Sequence, residues 1–461
     1  MRGFRSIAKD TALLTAASLG MRCVGLAYQA WLARRIGAAG VGLWQLVLSV
    51  NVLAATLAIS GIRFTTTRLI AEERGGAGRT ARAAAHCLLY AVFFGCGACL
   101  LLFFGAERIG FLWVGDARTV QSLRILSITL PMISLSSVLG GCFIAGGKAW
   151  KSALTQFVEQ LVNVAAVMLC LRSVRPDDLA QSCAAIARGC LAADAASLLL
   201  ALALFLPMLP RRAPAQSAPA HLRGRMLRIA LPLALSAYAR TGLTTLEHLL
   251  VPRKLREGGM GAARALGAYG VITGMVFPLI GFPSCLLGAL AELSVPELTA
   301  AQVRGDARFI RRAVRRLLRA ALLYALAVAL ALFLSADALG RLIYRSAEVG
   351  RYLRILSPLV PVMYLDIVTD GCLKGLGQML RSMAYNISEA LLSVAFVIGV
   401  LPRWGLGGFL FLIFFCELWN FSLSFARLVK ITDLFGRQDN KKARAALPGD
   451  PHNKNSLMPG A

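Results

Sequence analysis

Charge is scarce in this chain, and acid is scarcer still. Only 16% of its 461 residues are charged, and 23 acidic residues stand against 50 basic ones. A soluble domain carries about a quarter charged residues, so a water-facing globular surface is not built from this composition. Histidine occurs four times, at His86, His221, His248 and His452, too scattered for a catalytic dyad or a metal site. No GxxxxGK[ST] segment is present, which removes an ATPase site of the chain's own. The eleven cysteines all fall in or beside apolar segments. The only CxxC, Cys96 to Cys99, has neither a second pair nor a neighbouring histidine, so the thiols read as small apolar filler. The expectation is a protein that is not an enzyme, with no catalytic residues, no metal and no cofactor.

What is abundant is hydrocarbon. Hydrophobic residues make up 57% of the chain, and the mean hydropathy is +0.66. Runs such as 83–104 and 320–335 are about the length a helix needs to cross roughly 30 Å of bilayer core. They do not alternate polar and apolar, as barrel strands would. Hydropathy read against charged and Gly/Pro-rich breaks predicts twelve spans, near 11–33, 41–62, 83–104, 122–145, 152–171, 180–206, 228–251, 267–291, 318–335, 352–373, 383–401 and 405–426. The first is too long for a cleaved signal peptide and contains Arg22, so it reads as a retained helix. With these spans, 31 of the 50 Lys and Arg fall on the side shared by both termini and 16 on the other, which predicts both termini in the cytoplasm of a multi-pass cell-membrane protein. The formal charge of +27 lies in short loops such as 308–319. Anionic membrane lipid and insertion topology account for it better than nucleic acid does.

One stretch occurs twice. Residues 124–167 align without a gap on 354–397 at a constant offset of 230, and sixteen of the 44 positions are identical, among them Arg124/Arg354, Pro131/Pro361, Gly141/Gly371, Ser152/Ser382 and Glu159/Glu389. The copies fall on the fourth and fifth spans of each half. Six spans per half is an even number, so the halves insert in the same orientation as parallel repeats, an arrangement typical of transporters. The expected fold is an all-α integral membrane protein with about twelve transmembrane helices in two parallel six-helix lobes. The lobes would be 1–209 and 226–436, with a cytoplasmic linker at 210–225 and a disordered cytoplasmic tail at 437–461.

Ionisable groups at membrane depth are costly and mark function or pairing. On the duplicated fifth spans, Ser152, Gln156, Glu159 and Asn163 share one helical face, and Ser382, Asn386, Glu389 and Ser393 repeat it. The stripe is either the wall of a polar cavity or a helix seam held by hydrogen bonds. Arg22 shares a face with Thr15, Ser18 and Gln29, and Arg240 with Ser236, Thr244 and Glu247. A guanidinium suits a pyrophosphate because its planar fork bonds two oxygens; the alternatives are internal pairs, Arg240 with Glu247 and Arg22 with Glu159. Asp366 and Asp370 stand one turn apart and are the candidates for a coupling cation, although Asp370 also lies four residues before Lys374, within ion-pair reach.

The segment 13–50, with Arg22, Gly25 and Tyr28 followed by LARRIGAAGVGLWQL, and the element containing Ser60, Gly61, Ile62, Arg68, Ala71 and Glu72 resemble the stage V sporulation protein B group of polysaccharide flippases. That group belongs with the lipid II flippases, O-antigen flippases and MATE multidrug exporters of the MOP superfamily. The resemblance covers nearly the whole chain and is more specific in the first half. It implies a transporter of an undecaprenyl-linked saccharide, such as a peptidoglycan precursor for spore cortex, with a coupling cation or the membrane potential as driving force; the alternative is a MATE-type multidrug or cation antiporter. By position it implies that Arg22 lines the central cavity and that Arg68 sits at the cavity mouth. Arg63 stands where the group usually has proline after SGI, adding positive charge there.

Overall fold

The computed structural model describes residues 2–72, 77–175, 178–208 and 222–434. The tail expected beyond 436 and most of the linker lie outside these residues; the last linker positions begin a helix. Among the described residues there is no strand. Fifteen α-helices run α1 (Arg2–Ile59), α2 (Ile62–Glu72), α3 (Ala77–Arg108), α4 (Val120–Ser127), α5 (Thr129–Ala145), α6 (Ala149–Arg172), α7 (Leu179–Phe205), α8 (Leu222–Glu257), α9 (Ala262–Val271), α10 (Phe277–Val303), α11 (Ala307–Leu339), α12 (Ala347–Leu356), α13 (Val360–Gly375), α14 (Met379–Gly399) and α15 (Leu401–Thr432). Among the described residues, nine continuous helical stretches are long and apolar enough to cross a membrane, or ten if α4 and α5, bent by 41°, form one span. One stretch, Gly20–Glu72, holds 53 residues, about 80 Å at 1.5 Å per residue, and so contains more than one crossing. Gly37 divides it with a φ of 71 that only glycine adopts at little cost. Each of the twelve expected spans lies on helix, and α8 is the one whose polar residues keep it below the apolar threshold. Large apolar side chains face outward, as lipid contact requires: Phe93 is 73%, Phe104 77% and Leu334 72% exposed.

A second break separates α1 from α2. Ser60 (φ 47) and Gly61 (φ 71) both take the left-handed region, so the SGI element turns the chain without a proline, and Arg63 stands in the first turn of the next helix, which begins at Ile62. Tyr90 donates to the Ser60 carbonyl at 3.1 Å, and the Ser60 hydroxyl bonds Tyr238 of α8. These tethers hold a conformation that costs a non-glycine residue about 1 kcal/mol or more.

The repeat extends further in space than in sequence. Arg124 pairs with Glu107 at 2.6 Å and Arg354 with Asp337 at 2.5 Å, each guanidinium 5.9 Å from the ring of Phe103 or Phe333; all of these pairs keep the offset of 230. Both copies close the preceding helix with a π turn, Ile109–Val114 and Gly340–Tyr344, and cap it with a left-handed residue, Gly115 or Arg345. The next residues are Asp116 and Ser346, which donate their amides to Gly110 and Gly340, each at 3.0 Å. Burial pushes the Asp116 carboxyl up, but hydrogen bonds from Arg118 and the charges of Arg118 and Arg256 hold it below the ordinary value.

The chain forms two compact units. One comprises Met1–Phe282, Leu332–Leu356 and Ala390–Ile413; the other comprises Pro283–Ala331, Ser357–Glu389 and Phe414–Ala461.

Candidate functional site

In the first unit, α1, α6, α7 and the π turn at Ile272–Val276 surround a cavity of about 730 Å³. Arg22, Gln29 and Gln45 enter it from α1, and Gln156, Gln160 and Asn163 enter it from α6. Gly25 faces α6: a Cβ there would meet Gln160 Nε2 at 3.7 Å, an ordinary van der Waals contact. Arg22 is exposed in this cavity and has no ion-pair partner among the described residues; the side chains of Thr15 and Ser18 lie outside them. Among the described residues the cavity wall contains one cation and several neutral amides and no carboxylate.

Glu159 does not line that cavity. Its Oε2 accepts from Ser197 of α7 at 2.9 Å, which turns the carboxylate into the α6–α7 contact and leaves the Arg22 to Glu159 pair unformed. Asn163 Oδ1 takes the Cys190 thiol at 3.8 Å on the same seam. The fifth-span stripe is therefore split: Gln156 and Asn163 reach the cavity, while Glu159 braces the helix behind it. Tyr28, Trp44 and Gln45, which belong to the segment that carries the family resemblance, also line the cavity, as does Gln160, which did not stand out in the sequence; its signal was its place one turn beyond Gln156.

Arg240 is exposed on α8, with no ion pair to Glu247; the latter is half-buried beside the buried Ser393 hydroxyl. At the break between α1 and α2, Arg63 is exposed. Arg68 pairs with Glu72 at 2.9 Å, and Glu72 reaches Arg225 of α8 at 2.5 Å, so Arg68 is held by a three-membered network.

The glycine seam between α1 and α9 borders the cavity. A Cβ on Gly42 would lie 2.1 Å from the Leu266 carbonyl, and one on Gly270 would lie 2.4 Å from the Ala38 carbonyl and from the Gly42 amide. Gly274, in the π turn, lies against Val41 and Gln45, and all three line the cavity. Arg34, just before the Gly37 break, donates Nε to the Ile343 carbonyl at 2.6 Å and Nη2 to the Leu342 carbonyl.

In the second unit the acidic pair is resolved into two roles. Asp370 accepts from Ser382 and from Lys374 at 2.7 Å, the i,i+4 ion pair anticipated for it. Its counterpart is Gly140, whose Cβ position would stand 3.4 Å from Ser152 Oγ, so both copies bring this position against the same serine. Asp366 Oδ2 accepts from Asn420 Nδ2 at 3.2 Å, and the same amide donates to Asn386 Oδ1 at 3.1 Å. Asp366 Oδ1 and Asn420 Oδ1 are both buried without a hydrogen-bond partner. Glu417 stands one turn before Asn420 on α15. Glu389 is half-buried on α14. No group of three His, Cys, Asp or Glu poised for a metal occurs among the described residues.

Comparison with known proteins agrees with this architecture. The polysaccharide biosynthesis protein family matches residues 7–283, and the MatE family matches residues 258–398. Stage V sporulation protein B of Bacillus subtilis (strain 168) is 24% identical over 409 residues, 87% of this chain and 79% of that protein. The inward-facing conformation of a multidrug resistance MATE family transporter of the MOP superfamily superposes with a TM-score of 0.70 at 15% identity, covering 92% of this chain and 96% of that one. An outward-facing MATE structure gives 0.61 at 17% identity, covering 95% and 96%. The chain belongs to the polysaccharide biosynthesis protein family, and its multi-pass all-α fold is that of the MATE transporters.

Proposed function

We propose that the protein is a flippase that carries an undecaprenyl-linked saccharide, a peptidoglycan precursor such as lipid II for spore cortex, across the cytoplasmic membrane by alternating access, with both termini in the cytoplasm. The observation that carries this reading is the chemistry of the cavity. Arg22, without an ion-pair partner among the described residues, is surrounded by Gln29, Gln45, Gln156, Gln160 and Asn163, and no described carboxylate lies in the wall. A guanidinium receives a pyrophosphate, amides exchange hydrogen bonds with sugar hydroxyls, and the lipid tail stays in the bilayer, so that no charged head group enters hydrocarbon. A cationic drug needs the opposite lining. That favours the flippase over the multidrug antiporter.

In this reading the halves 1–209 and 226–436 rock as two lobes, and the glycine seam of Gly42, Gly270 and Gly274 is the contact that opens on one side. Arg63 and the Arg68–Glu72–Arg225 network guard the mouth. Arg240, Glu247 and Glu389 line the second lobe's share of the path. Asp366, with one oxygen unsatisfied, binds the coupling proton or cation, while Asp370 is held by Ser382 and Lys374.

The test is reconstitution into liposomes with labelled lipid II and, separately, a cationic drug. Wild-type protein is expected to translocate lipid II, and Arg22→Ala to slow it by at least about tenfold, the loss of one charge-assisted contact of roughly 1.5–3 kcal/mol. Gln156→Ala should slow it less. Drug transport without lipid II transport, or an Arg22→Ala variant that flips at the wild-type rate, would overturn the assignment.

A further inference from the structure

The first turns of α11 hold Arg308, Arg311, Arg312, Arg315, Arg316 and Arg319. Cations at a helix N-terminus oppose its dipole, so helix stability does not explain them. Two are tied to the end of α15: Arg311 pairs with Asp433 at 3.1 Å, and Arg315 donates to the Leu434 carbonyl. Arg319 is exposed and has no protein partner among the described residues. From Ala320 the helix carries no charge until Asp337. The step from Arg319 to Ala320 therefore marks where head groups give way to hydrocarbon.

At that depth a pocket of about 600 Å³ opens between α11, α13 and α15. Arg315 and Arg319 stand on its polar side, and Leu322, Leu365, Phe421 and Phe425 form its apolar floor, the two phenylalanine rings stacked 5.3 Å apart. No carboxylate among the described residues lines it. A guanidinium pair above an apolar slot complements a ligand with a phosphate at one end and an acyl chain at the other. An acidic cytosolic peptide would meet the arginines but leave the slot unfilled. We propose that this pocket is a discrete site for one anionic phospholipid, its phosphate held by Arg315 and Arg319 and one acyl chain lying along Leu322 and Phe425. The site is separate from the substrate cavity and does not rest on the flippase reading.

The experiment is native mass spectrometry of the full-length protein in neutral detergent, with phosphatidylglycerol, phosphatidylcholine, a polyprenyl phosphate and soluble glycerol phosphate offered in separate arms. The wild-type protein is expected to retain one phosphatidylglycerol at least about tenfold more than phosphatidylcholine, an advantage of roughly 1.4 kcal/mol. Arg319→Gln, which removes the charge at an exposed position, and Leu322→Trp, which fills the slot from a side chain that is 39% exposed, should each reduce that retention about tenfold. Arg312→Gln combined with Arg316→Gln removes two charges from a neighbouring face and should leave retention within twofold. Equal retention of the neutral lipid, equal loss in the Arg312/Arg316 variant, binding of glycerol phosphate alone, or displacement of phosphatidylglycerol by the polyprenyl phosphate would each overturn the proposal.

Discussion

Arg345 holds a left-handed backbone (φ 53) where the first copy of the repeat has Gly115 (φ 72). Both residues cap a π turn with the same amide-to-carbonyl bond behind them, so the two sites form a natural substitution pair. A side chain in this region costs about 1–2 kcal/mol, offset partly by the extra freedom glycine has when unfolded. Arg345→Gly should therefore raise thermal stability slightly, by about 0.5 kcal/mol. Gly115→Ala should lower it by about 1 kcal/mol, because nothing within 4 Å of the added Cβ provides another cost. Melting curves in one detergent decide it, and shifts of the same sign in both variants would refute the strain argument. At this scale the sequence was most legible where a helical face sufficed. Arg22, Gln29, Gln156 and Asn163 follow from spacing, and they meet in the cavity. Glu159 shares that spacing but turns to Ser197, because whether a polar group serves a cavity or a seam depends on the neighbouring helix, which spacing does not contain. Asn420 was illegible for the same reason: a lone amide among aromatics on α15 gains meaning only from Asp366 and Asn386 across from it.

At the scale of elements, apolar length located the spans, but the breaks that shape them are backbone events. Gly37 falls between two expected spans and was legible as a gap. The turn at Ser60–Gly61 forms without the proline its resemblance led one to expect, held instead by Tyr90 and Tyr238. The π turn at Ile272–Val276 leaves no sequence mark beyond Gly274. The α1–α9 seam turns these local features into a testable contact. Gly42 has no room for a methyl group, because its neighbour is the Leu266 carbonyl and backbone does not yield as a side-chain tip does. Gly42→Ala should force the seam apart. A single cysteine at Gln45 in a background lacking the native thiols reads this out. Its labelling by a membrane-impermeant reagent from the side opposite the termini should rise several-fold over the Gly42 parent. Gly281→Ala is the control for an added methyl, since that cavity glycine has no atom within 4 Å of the new Cβ. Unchanged labelling in Gly42→Ala would mean that the seam is not the moving contact.

Across the whole molecule the duplication gives a frame in which differences between copies are informative. Ion pair, aromatic partner, π turn and left-handed cap recur at an offset of 230, so the repeat preserves how consecutive spans are joined. Against that constancy, Ser136 and Gly140 are replaced by Asp366 and Asp370. Asp370 is fully engaged by Ser382 and Lys374. Asp366 keeps a buried oxygen without a partner, an arrangement that costs about 1–3 kcal/mol unless a proton or cation fills it for part of the cycle. The two acids should then fail differently. Asp370→Asn loses a half-exposed ion pair and a hydrogen bond, so it should lower the melting temperature by an amount equivalent to about 1 kcal/mol while leaving translocation dependent on an applied ion gradient. Asp366→Asn should fold at least as well as wild type, because a neutral amide removes a poorly satisfied charge, yet it should lose gradient-driven accumulation while retaining passive exchange of lipid II across the liposome membrane. Paired assays with and without a cation or proton gradient separate these outcomes. Gradient dependence that persists in Asp366→Asn would overturn the coupling role proposed for Asp366.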